Sequence, residues 1–481
     1  MGGGQSVPSS RVVSTSTGPI RGRRLVHTGE KQVEAFQGIP YAKPPIGDLR
    51  FKKPEPHDKW EEVRECTAFG MKSIQKPGLL ERFHPRISED CLVLNVFSPA
   101  WEPPSGSSFP ILLFIHGGGF VSDSTVKYGD EGICSHLVTK GIVVVTIQYR
   151  VAFLGFWTSD SSCTTNLGLW DQRAALLWVK ENAAAFYGDP NNITLMGQNL
   201  FHKVIPLAGN ASAQWAIHSD PLSTCKEWSR RHLAVDPDVP PHDWMDKLRT
   251  VAASKYATSL TFKNSSDSSG GDLLQVLPSF PLPLLCQIGP CLDDEFLPRP
   301  ISELRKEAPS KPRIVGCCRE EGLAMVILDK NLDESRFKGL AKDIIRDEVE
   351  DCEKKREEML AEFPREEGKE MRMRALAELC SDAFLNIAVQ KNVIDCLEAN
   401  DSQVFMYSFD YFNDKMWGPL GWMFPFKAAT HCTEMSFLFA VGILWGFTLS
   451  EKDLVVLNRF TQAVSGVEGG DEGGRAEALG H

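Results

Sequence analysis

A glycine-rich turn is the segment whose residue types could most directly do chemistry. The string HGGGF occupies residues 116–120 and follows an apolar run at 111–115. Because glycine has no Cβ, no side chain blocks the approach of another group to the N–H groups of Gly118 and Gly119. Three consecutive glycines after a strand also suit a tight turn that has no chemical role. The residues alone therefore give a glycine-rich turn whose role depends on its neighbours.

The cysteines are a second set of reactive groups, and their spacing argues against metal binding. The chain has 13 cysteines, with no CxxC pair and no Cys and His spacing that is typical of zinc. We therefore expect no structural metal site. Cys317 and Cys318 are adjacent and could act in redox chemistry, but an apolar strand precedes them, which favours buried thiols.

The composition is that of a large globular protein with an acidic balance. The 481 residues are 42% hydrophobic and 24% charged, which is enough to bury the core of one large α/β domain or two ordinary ones. The formal net charge is −11, and no dense block of Lys and Arg is present, which excludes the basic footprint of a nucleic-acid-binding protein. The apolar runs at 142–147 and 437–444 are too short or too mixed to cross a bilayer.

Short apolar runs and one helical pattern predict the elements that must position the turn. The runs 111–115 and 142–147 predict buried strands. Apolar residues from about 169 to 186 predict a helix that ends before the string GDP at 188–190, and 193–196 predicts a further strand. Continuous apolar strands are typical of a mostly parallel sheet, so the order strand, helix, strand predicts a doubly wound α/β fold.

Six strings along the chain resemble the type-B carboxylesterase and cholinesterase family. They follow the family's order and occupy residues 35–56, 88–99, 114–120, 166–198, 204–212 and 407–413. The resemblance implies an α/β-hydrolase fold, with a central, mostly parallel sheet flanked by helices. It also implies hydrolysis of carboxylic esters through an acyl-serine intermediate. That chemistry uses side chains and backbone amides, so no metal and no organic cofactor is implied.

The resemblance implies four parts of a catalytic site, and three of them are found. Gly118 and Gly119 match the family's oxyanion loop. Glu321, in the string REEG, matches the acidic member of the triad, whereas its neighbour Glu320 does not. His431, in the string ATHCTE, matches the catalytic histidine. These positions are expected to meet at one site.

The fourth part, the nucleophile, is absent from the sequence. Where the family has GxSxG after a strand, this chain has MGQNLF at 196–201, and GxSxG occurs nowhere else. Asn199 stands at the position of the serine, and a carboxamide is not a usable nucleophile. The sequence as written therefore predicts a catalytically inactive protein that lacks the nucleophile-elbow helix.

The same gap creates a structural problem that the residues alone show. If 193–196 and 204–207 are neighbouring parallel strands, a crossover of roughly a dozen residues is needed between them. The four residues 199–202 reach at most about 14 Å, and a five-residue strand is about 17 Å long. We therefore expect that the parallel arrangement does not close. The second run should instead form an antiparallel hairpin or leave the sheet, and the core should be weakened.

The resemblance also implies a disulfide that uses Cys91. Ser73 occupies the usual position of the partner cysteine. We therefore expect no disulfide across this loop, which suits a reducing cytosol.

The termini complete the predicted organisation of the chain. We expect a flexible leader at 1–10, the α/β-hydrolase domain at 11–460, and a disordered acidic, glycine-rich tail at 461–481 in place of the family's C-terminal helix. The leader has no apolar h-region, which predicts a cytoplasmic protein. Its MGxxxS pattern fits N-myristoylation of Gly2 and a plain disordered leader equally well. If Gly2 is acylated, a single acyl chain supports only weak peripheral membrane contact.

Three interpretations of function stay open at this point. The first is a carboxylesterase-family protein that takes a small carboxylic ester but lacks the nucleophile. The second is an active serine carboxylesterase, if altered splicing or a faulty gene model removed the elbow. The third is a non-catalytic binding pseudoenzyme, whose protein partners the sequence does not identify.

Overall fold

A computed structural model describes most of the chain. The described residues are 8–26, 31–76, 86–159, 163–197, 203–257, 288–327, 332–345, 347, 349–399, 403–417, 424, 426–442 and 448–469.

One sheet organises the described residues. Its eleven strands, counted over those ranges, are β1 (Ser9–Ser14), β2 (Pro19–Val26), β3 (Gln32–Pro40), β4 (Arg64–Glu65), β5 (Val93–Pro99), β6 (Phe109–Ile115), β7 (Val143–Ile147), β8 (Gly188–Met196), β9 (Lys203–Ile205), β10 (Arg313–Cys318) and β11 (Val404–Phe409). The strand order is β1-β2-β3-β5-β7-β6-β8-β9-β10-β11, with β4 beside β2. The pairs from β1 to β7 in this order are antiparallel, and the pairs from β7 to β11 are parallel.

Helices connect the strands and flank the sheet. Thirteen α-helices lie within the described ranges, namely α1 (Glu131–His136), α2 (Ala152–Phe156), α3 (Leu167–Asn182), α4 (Pro221–Trp228), α5 (Pro241–Thr250), α6 (Ile301–Glu307), α7 (Leu323–Val326), α8 (Glu334–Ile344), α9 (Cys352–Ala361), α10 (Lys369–Ser381), α11 (Ile387–Glu398), α12 (Thr433–Phe439) and α13 (Glu451–Gly469). None of these helices has the length and apolar character needed to cross a membrane. The architecture is the α/β-hydrolase fold that was predicted.

The central strands are buried on both faces, which explains their continuous apolar sequence. In β6, Ile111 and Leu113 belong to the core cluster that includes Trp178 of α3. The alternate residues Leu112 and Phe114 belong to the cluster on the other face, with residues of α1 and α12. Successive side chains of a strand point to opposite faces, so a strand covered on both sides requires apolar residues throughout.

Most predicted elements of this region are confirmed. The runs 111–115 and 193–196 lie in β6 and β8, and the run 142–147 contains β7. The helix expected at about 169–186 is α3, followed by one turn of 3-10 helix at Ala183–Phe186. The cysteine pair Cys317 and Cys318 is buried, as the apolar strand before it indicated.

The pairing of β8 with β9 shows that one prediction was wrong. The two strands are parallel, with Thr194 opposite Lys203 and Met196 opposite Ile205. The prediction assumed that the chain must return along a five-residue strand. Because β9 has only three residues and begins beside Thr194, the return along the strand direction is two residues, about 7 Å. The six residues 197–202 can span that distance, although 198–202 themselves lie outside the described residues.

The C-terminal helix also corrects a predicted boundary. The disordered tail was expected from residue 461, but α13 continues to Gly469. The helix forms because it is held against the sheet: Leu457 is fully buried, and the ring of Phe460 packs on those of Tyr407 and Phe409 in β11. Residues 470–481 lie outside the described residues. The loss of a family helix at this end and at the elbow stays a prediction.

The loop predicted to lack its disulfide brings the two expected positions together. Ser73 hydrogen-bonds the buried thiol of Cys91 and also accepts a hydrogen bond from Val151 N at 3.2 Å. The serine therefore lies where a partner sulfur would reach Cys91. Burial raises the pKa of this thiol to about 12, so Cys91 is an unreactive neutral group.

Candidate active site

The predicted site residues gather where the parallel strands end. The glycine turn follows β6, Gly197 follows β8 and Glu321 follows β10, while His431 lies just before α12. Parallel strands bring their carboxyl ends to one edge of a sheet, which is where open α/β proteins place their sites. A cavity of about 130 Å³ lies there, and its lining includes Gly118, Gly119, Gly197 and His431.

The oxyanion loop has a conformation that requires glycine. Gly118 and Gly119 have φ values of 92° and 59°, in the left-handed region. A Cβ on Gly118 would lie 2.2 Å from the carbonyl oxygen of Ser122. That turn is closed by the carbonyl of Gly118, which accepts hydrogen bonds from the N–H groups of Val121 at 3.1 Å and Ser122 at 3.2 Å.

The N–H groups of the same two glycines are available as donors. Within the described part of the chain, no protein acceptor takes the N–H of Gly118 or Gly119. Both residues line the cavity, so an oxygen atom of a bound molecule can satisfy them. This is the arrangement that an oxyanion hole needs.

His116 supports this loop and is distinct from the predicted base. Its ring stacks on Tyr149 with 4.5 Å between ring centroids, and the Tyr149 hydroxyl donates to the His116 carbonyl oxygen at 3.1 Å. Burial lowers the pKa of His116, so its ring is neutral at physiological pH. The contacts fix the residue that precedes the three glycines.

Glu321 and His431 form the pair that the sequence predicted. The Nδ1 atom of His431 lies 2.7 Å from Oε2 of Glu321, whose side chain is fully buried. The other carboxylate oxygen accepts a hydrogen bond from the N–H of Cys318 at 2.6 Å. Since Nδ1 donates to the carboxylate, Nε2 is the nitrogen that can take a proton in the neutral ring.

Hydrogen bonds join the loop that carries Glu321 to the loop that carries His431, although the two residues are more than one hundred positions apart in the sequence. The N–H of Glu320 donates to the carbonyl of Ala429 at 2.9 Å. The Thr430 hydroxyl donates to the Glu321 carbonyl at 3.3 Å and accepts from the N–H of Ala324 at 2.8 Å. The geometry of Glu321 and His431 is therefore set by a rigid framework.

The surroundings of His431 favour its charged form. Burial lowers its pKa, but the charges of Cys432 and Glu321 and its hydrogen bonds to both residues act more strongly together and raise the pKa well above the ordinary value. The pair can therefore stabilise an imidazolium, which is the role of the carboxylate in a triad.

Glu434 is a second buried acid that the sequence analysis missed. It lies in the first turn of α12, and the thiol of Cys318 donates to its Oε2 at 2.7 Å. Burial and the nearby charge of Glu321 raise the pKa of Glu434 to about 7. This side chain therefore exchanges a proton near neutral pH, close to the His431 pair. Its position three residues after His431 was the only signal in the sequence.

Cys432 is the other missed residue of the site. It lines the cavity next to His431, and its φ of 67° places it in the left-handed region that favours glycine. Its thiol hydrogen-bonds His431. A single sequence does not reveal this backbone conformation.

The nucleophile position cannot be placed in the same way. Asn199 and the lipidation candidate Gly2 both lie outside the described residues. Gly197, the last described residue before Asn199, approaches β6 so closely that a Cβ would lie 2.4 Å from the Ile115 carbonyl oxygen. Among the described residues that line the cavity there is no serine or threonine.

Comparison with known proteins agrees with the fold. The family described as "Carboxylesterase family" matches residues 9–466. The chain is 31% identical over 489 residues to "Esterase cest-33" of Caenorhabditis elegans, across 94% of this chain and 84% of that protein. It is 29% identical over 459 residues to the para-nitrobenzyl esterase of Bacillus subtilis, across 89% and 83%. Cholinesterase of Mus musculus is 30% identical over 351 residues, across 66% of this chain and 54% of that protein. This chain belongs to the carboxylesterase family.

Proposed function

We propose that this chain binds carboxylic esters at the oxyanion loop but, with the sequence given, does not hydrolyse them through an acyl-serine intermediate. Membership of a family of ester hydrolases supports the substrate class. The proposed loss of turnover rests on one observation: Asn199 stands where the family's pattern has its serine.

The remaining groups support binding and polarisation of an ester. The N–H groups of Gly118 and Gly119 are available to a carbonyl oxygen, and they hold a negative charge better than a neutral oxygen. His431, oriented by Glu321 at 2.7 Å, can take a proton from an attacking hydroxyl. Without such a hydroxyl no covalent intermediate forms, and loss of a triad nucleophile costs about six powers of ten in kcat.

The test is turnover and covalent labelling of the unaltered polypeptide. We expect no fluorophosphonate adduct, and hydrolysis of para-nitrophenyl acetate at a rate that does not change in His431→Gln. The matched control is His242→Gln. His242 is an exposed histidine on α5 that pairs with Asp246, and it lies far from His431 in the sequence. A serine adduct, or a rate that falls in His431→Gln and not in His242→Gln, would refute the proposal.

One observation favours an active serine carboxylesterase as the parent form. Glu321 contacts His431, and the glycines of the oxyanion loop line the same cavity as His431, which is the arrangement that catalysis requires. An inactive chain has no need of this arrangement. We propose that altered splicing or a faulty gene model accounts for the short connection between Met196 and Lys203. Intact mass of the protein isolated from its natural source decides this. An added segment of about one helix supports the active form, and the mass of the sequence given excludes it.

A further inference from the structure

Among the described cysteines, Cys432 is the one that lines the catalytic cavity. Of the twelve cysteines in the described ranges, nine are buried, and Cys163, Cys352 and Cys432 are half-buried. Burial raises the pKa of several buried thiols, for example that of Cys91 to about 12, which keeps them neutral and unreactive. Cys432 is therefore the described thiol that a molecule in the cavity can reach.

Two basic side chains lie next to this thiol. It hydrogen-bonds His431, whose Nδ1 lies 2.7 Å from Oε2 of Glu321. Because Nδ1 donates to the carboxylate, Nε2 is the nitrogen that can take the proton of the thiol. Lys127 also lines the cavity, and although burial lowers its pKa, the charges of Asp123 and Cys432, with a hydrogen bond to Asp123, raise it. An imidazole and an ammonium group therefore face the sulfur, which are surroundings in which a cysteine acts as a nucleophile.

The cavity also holds polar groups that a bound molecule can use. The N–H groups of Gly118 and Gly119 can hold the negative charge that forms on a carbonyl oxygen when a nucleophile adds. His116 lines the same cavity and is 2% exposed, and its Nε2 atom has no hydrogen-bond partner among the described residues. Its Nδ1 lies 3.1 Å from the Gly117 carbonyl oxygen and so carries the proton of the neutral ring. Nε2 of His116 is therefore an acceptor for a hydroxyl group of a bound molecule.

The position of the thiol decides which carbon atom it can attack. The family's serine would follow β8 at position 199, whereas Cys432 lies just before α12. A nucleophile on this other segment does not take the place of the serine, which attacks the carbonyl carbon itself. In an α,β-unsaturated carbonyl compound the β-carbon is also electrophilic, and it lies two bonds from the carbonyl carbon. Such a compound can place its oxygen at the glycines and its β-carbon at the sulfur.

We propose that Cys432 is a covalent modification site for small α,β-unsaturated carbonyl compounds, such as acrylate esters that carry a hydroxyl group. The thiol gives its proton to His431, and the sulfur forms a bond to the β-carbon while the π electrons of the C=C bond move toward the carbonyl oxygen. The N–H groups of Gly118 and Gly119 hold the resulting enolate, and His431 returns the proton to the α-carbon. The product is a thioether, and the step needs no leaving group, oxidant or cofactor. It shares the oxyanion loop with the proposed ester binding but does not depend on turnover of esters.

The test is intact mass and peptide mapping of the full chain treated with 2-hydroxyethyl acrylate, whose hydroxyl can donate to His116. We expect an adduct at Cys432 that forms at least about tenfold faster than any adduct at Cys352. Cys352 is the internal control, because it is also half-buried but lies beside the carboxylates of Asp347 and Glu353. Cys432→Gly should abolish the adduct and keep the fold, since glycine adopts the φ of 67° without strain.

Two further comparisons separate the base from the electrophile. His431→Gln should slow the labelling of Cys432 by about tenfold or more, whereas the exposed-site control His242→Gln should leave it unchanged. The reagent 2-hydroxyethyl propanoate has the same carbonyl and hydroxyl groups but no C=C bond, so it should give no adduct.

Three results would overturn the proposal. Equal rates of labelling at Cys432 and Cys352 would show that the cavity does not activate the thiol. Undiminished labelling in His431→Gln, checked to be folded by circular dichroism, would remove the role of the base. A propanoyl group on Cys432 after treatment with 2-hydroxyethyl propanoate would show that the sulfur reaches the carbonyl carbon, and acyl transfer would then replace the addition to the C=C bond.

Discussion

Gly118 is the residue whose backbone most constrains the site. Its φ is 92°, and an added Cβ would lie only 2.2 Å from the Ser122 carbonyl oxygen, so there is no room for a side chain. The turn that aims the Gly118 and Gly119 N–H groups therefore depends on this glycine.

We predict that Gly118→Ala lowers the free energy of unfolding by about 1–3 kcal/mol, because a non-glycine residue is strained there and meets a backbone oxygen. Gly117→Ala is the matched control, since an added Cβ at Gly117 meets nothing within 4 Å. It should change the free energy of unfolding by no more than about 0.5 kcal/mol. Urea denaturation of both variants measures this, and equal effects would contradict the geometry of the loop.

The sequence located the parts of the site that lie in recognisable strings. Gly118, Glu321 and His431 were found because each belongs to a short string with a family pattern, and the structure brings them to one place. Cys432 and Glu434 were missed for a physical reason. Their properties come from a left-handed backbone and from burial beside Glu321, and neither depends on local sequence alone.

At the scale of elements, apolar patterns predicted the central strands and their mostly parallel arrangement, but not the pairing of β9. β6 and β7 are short, continuous apolar runs, and such runs are recognisable when both faces are covered. The parallel pairing of β9 was not predictable because it depends on how many residues of β9 join the sheet. The end of α13 was missed because the glycines in its last turns are typical of a disordered tail. The helix is stabilised by tertiary contacts, which the local sequence does not show.

A substitution in α13 tests whether this helix is docked as an element of the fold. Leu457 is fully buried, whereas Val455, two residues earlier, is 51% exposed. We predict that Leu457→Ala lowers the free energy of unfolding by about 2–5 kcal/mol through loss of buried contacts and a cavity. Val455→Ala should stay within about 0.5 kcal/mol. Thermal or urea unfolding measures both, and a small effect at Leu457 would mean that α13 is not part of the core.

At the scale of the molecule, two apolar core clusters meet at a narrow seam, which is the short strand β9. The cluster under β5, β6 and β7 includes Trp178 of α3, and a separate cluster packs β10 and β11 against α7, α10 and α11. Between them lies β9, three residues long. Its register with β10 is the single pair Arg313 and Val204, with one further bridge between Leu207 and Gly316. Because the pairing between β9 and β10 is so short, we expect the sheet to separate most easily at this seam.

We therefore predict that β10 and β11 open without unfolding of β6 and β7. Native-state hydrogen exchange at low urea should show amides of β10, such as Val315, exchanging with a lower opening free energy than those of β6 and β7, such as Leu113 and Val145. A strand buried on both faces normally opens only with global unfolding, so the difference has to arise at the seam. A chain carrying an added helix between Met196 and Lys203 would cover β9 and should reduce the difference. Equal opening free energies in the unaltered chain would show that the sheet unfolds as one unit, because contacts of α12 and α13 across the other face then suffice to couple its halves.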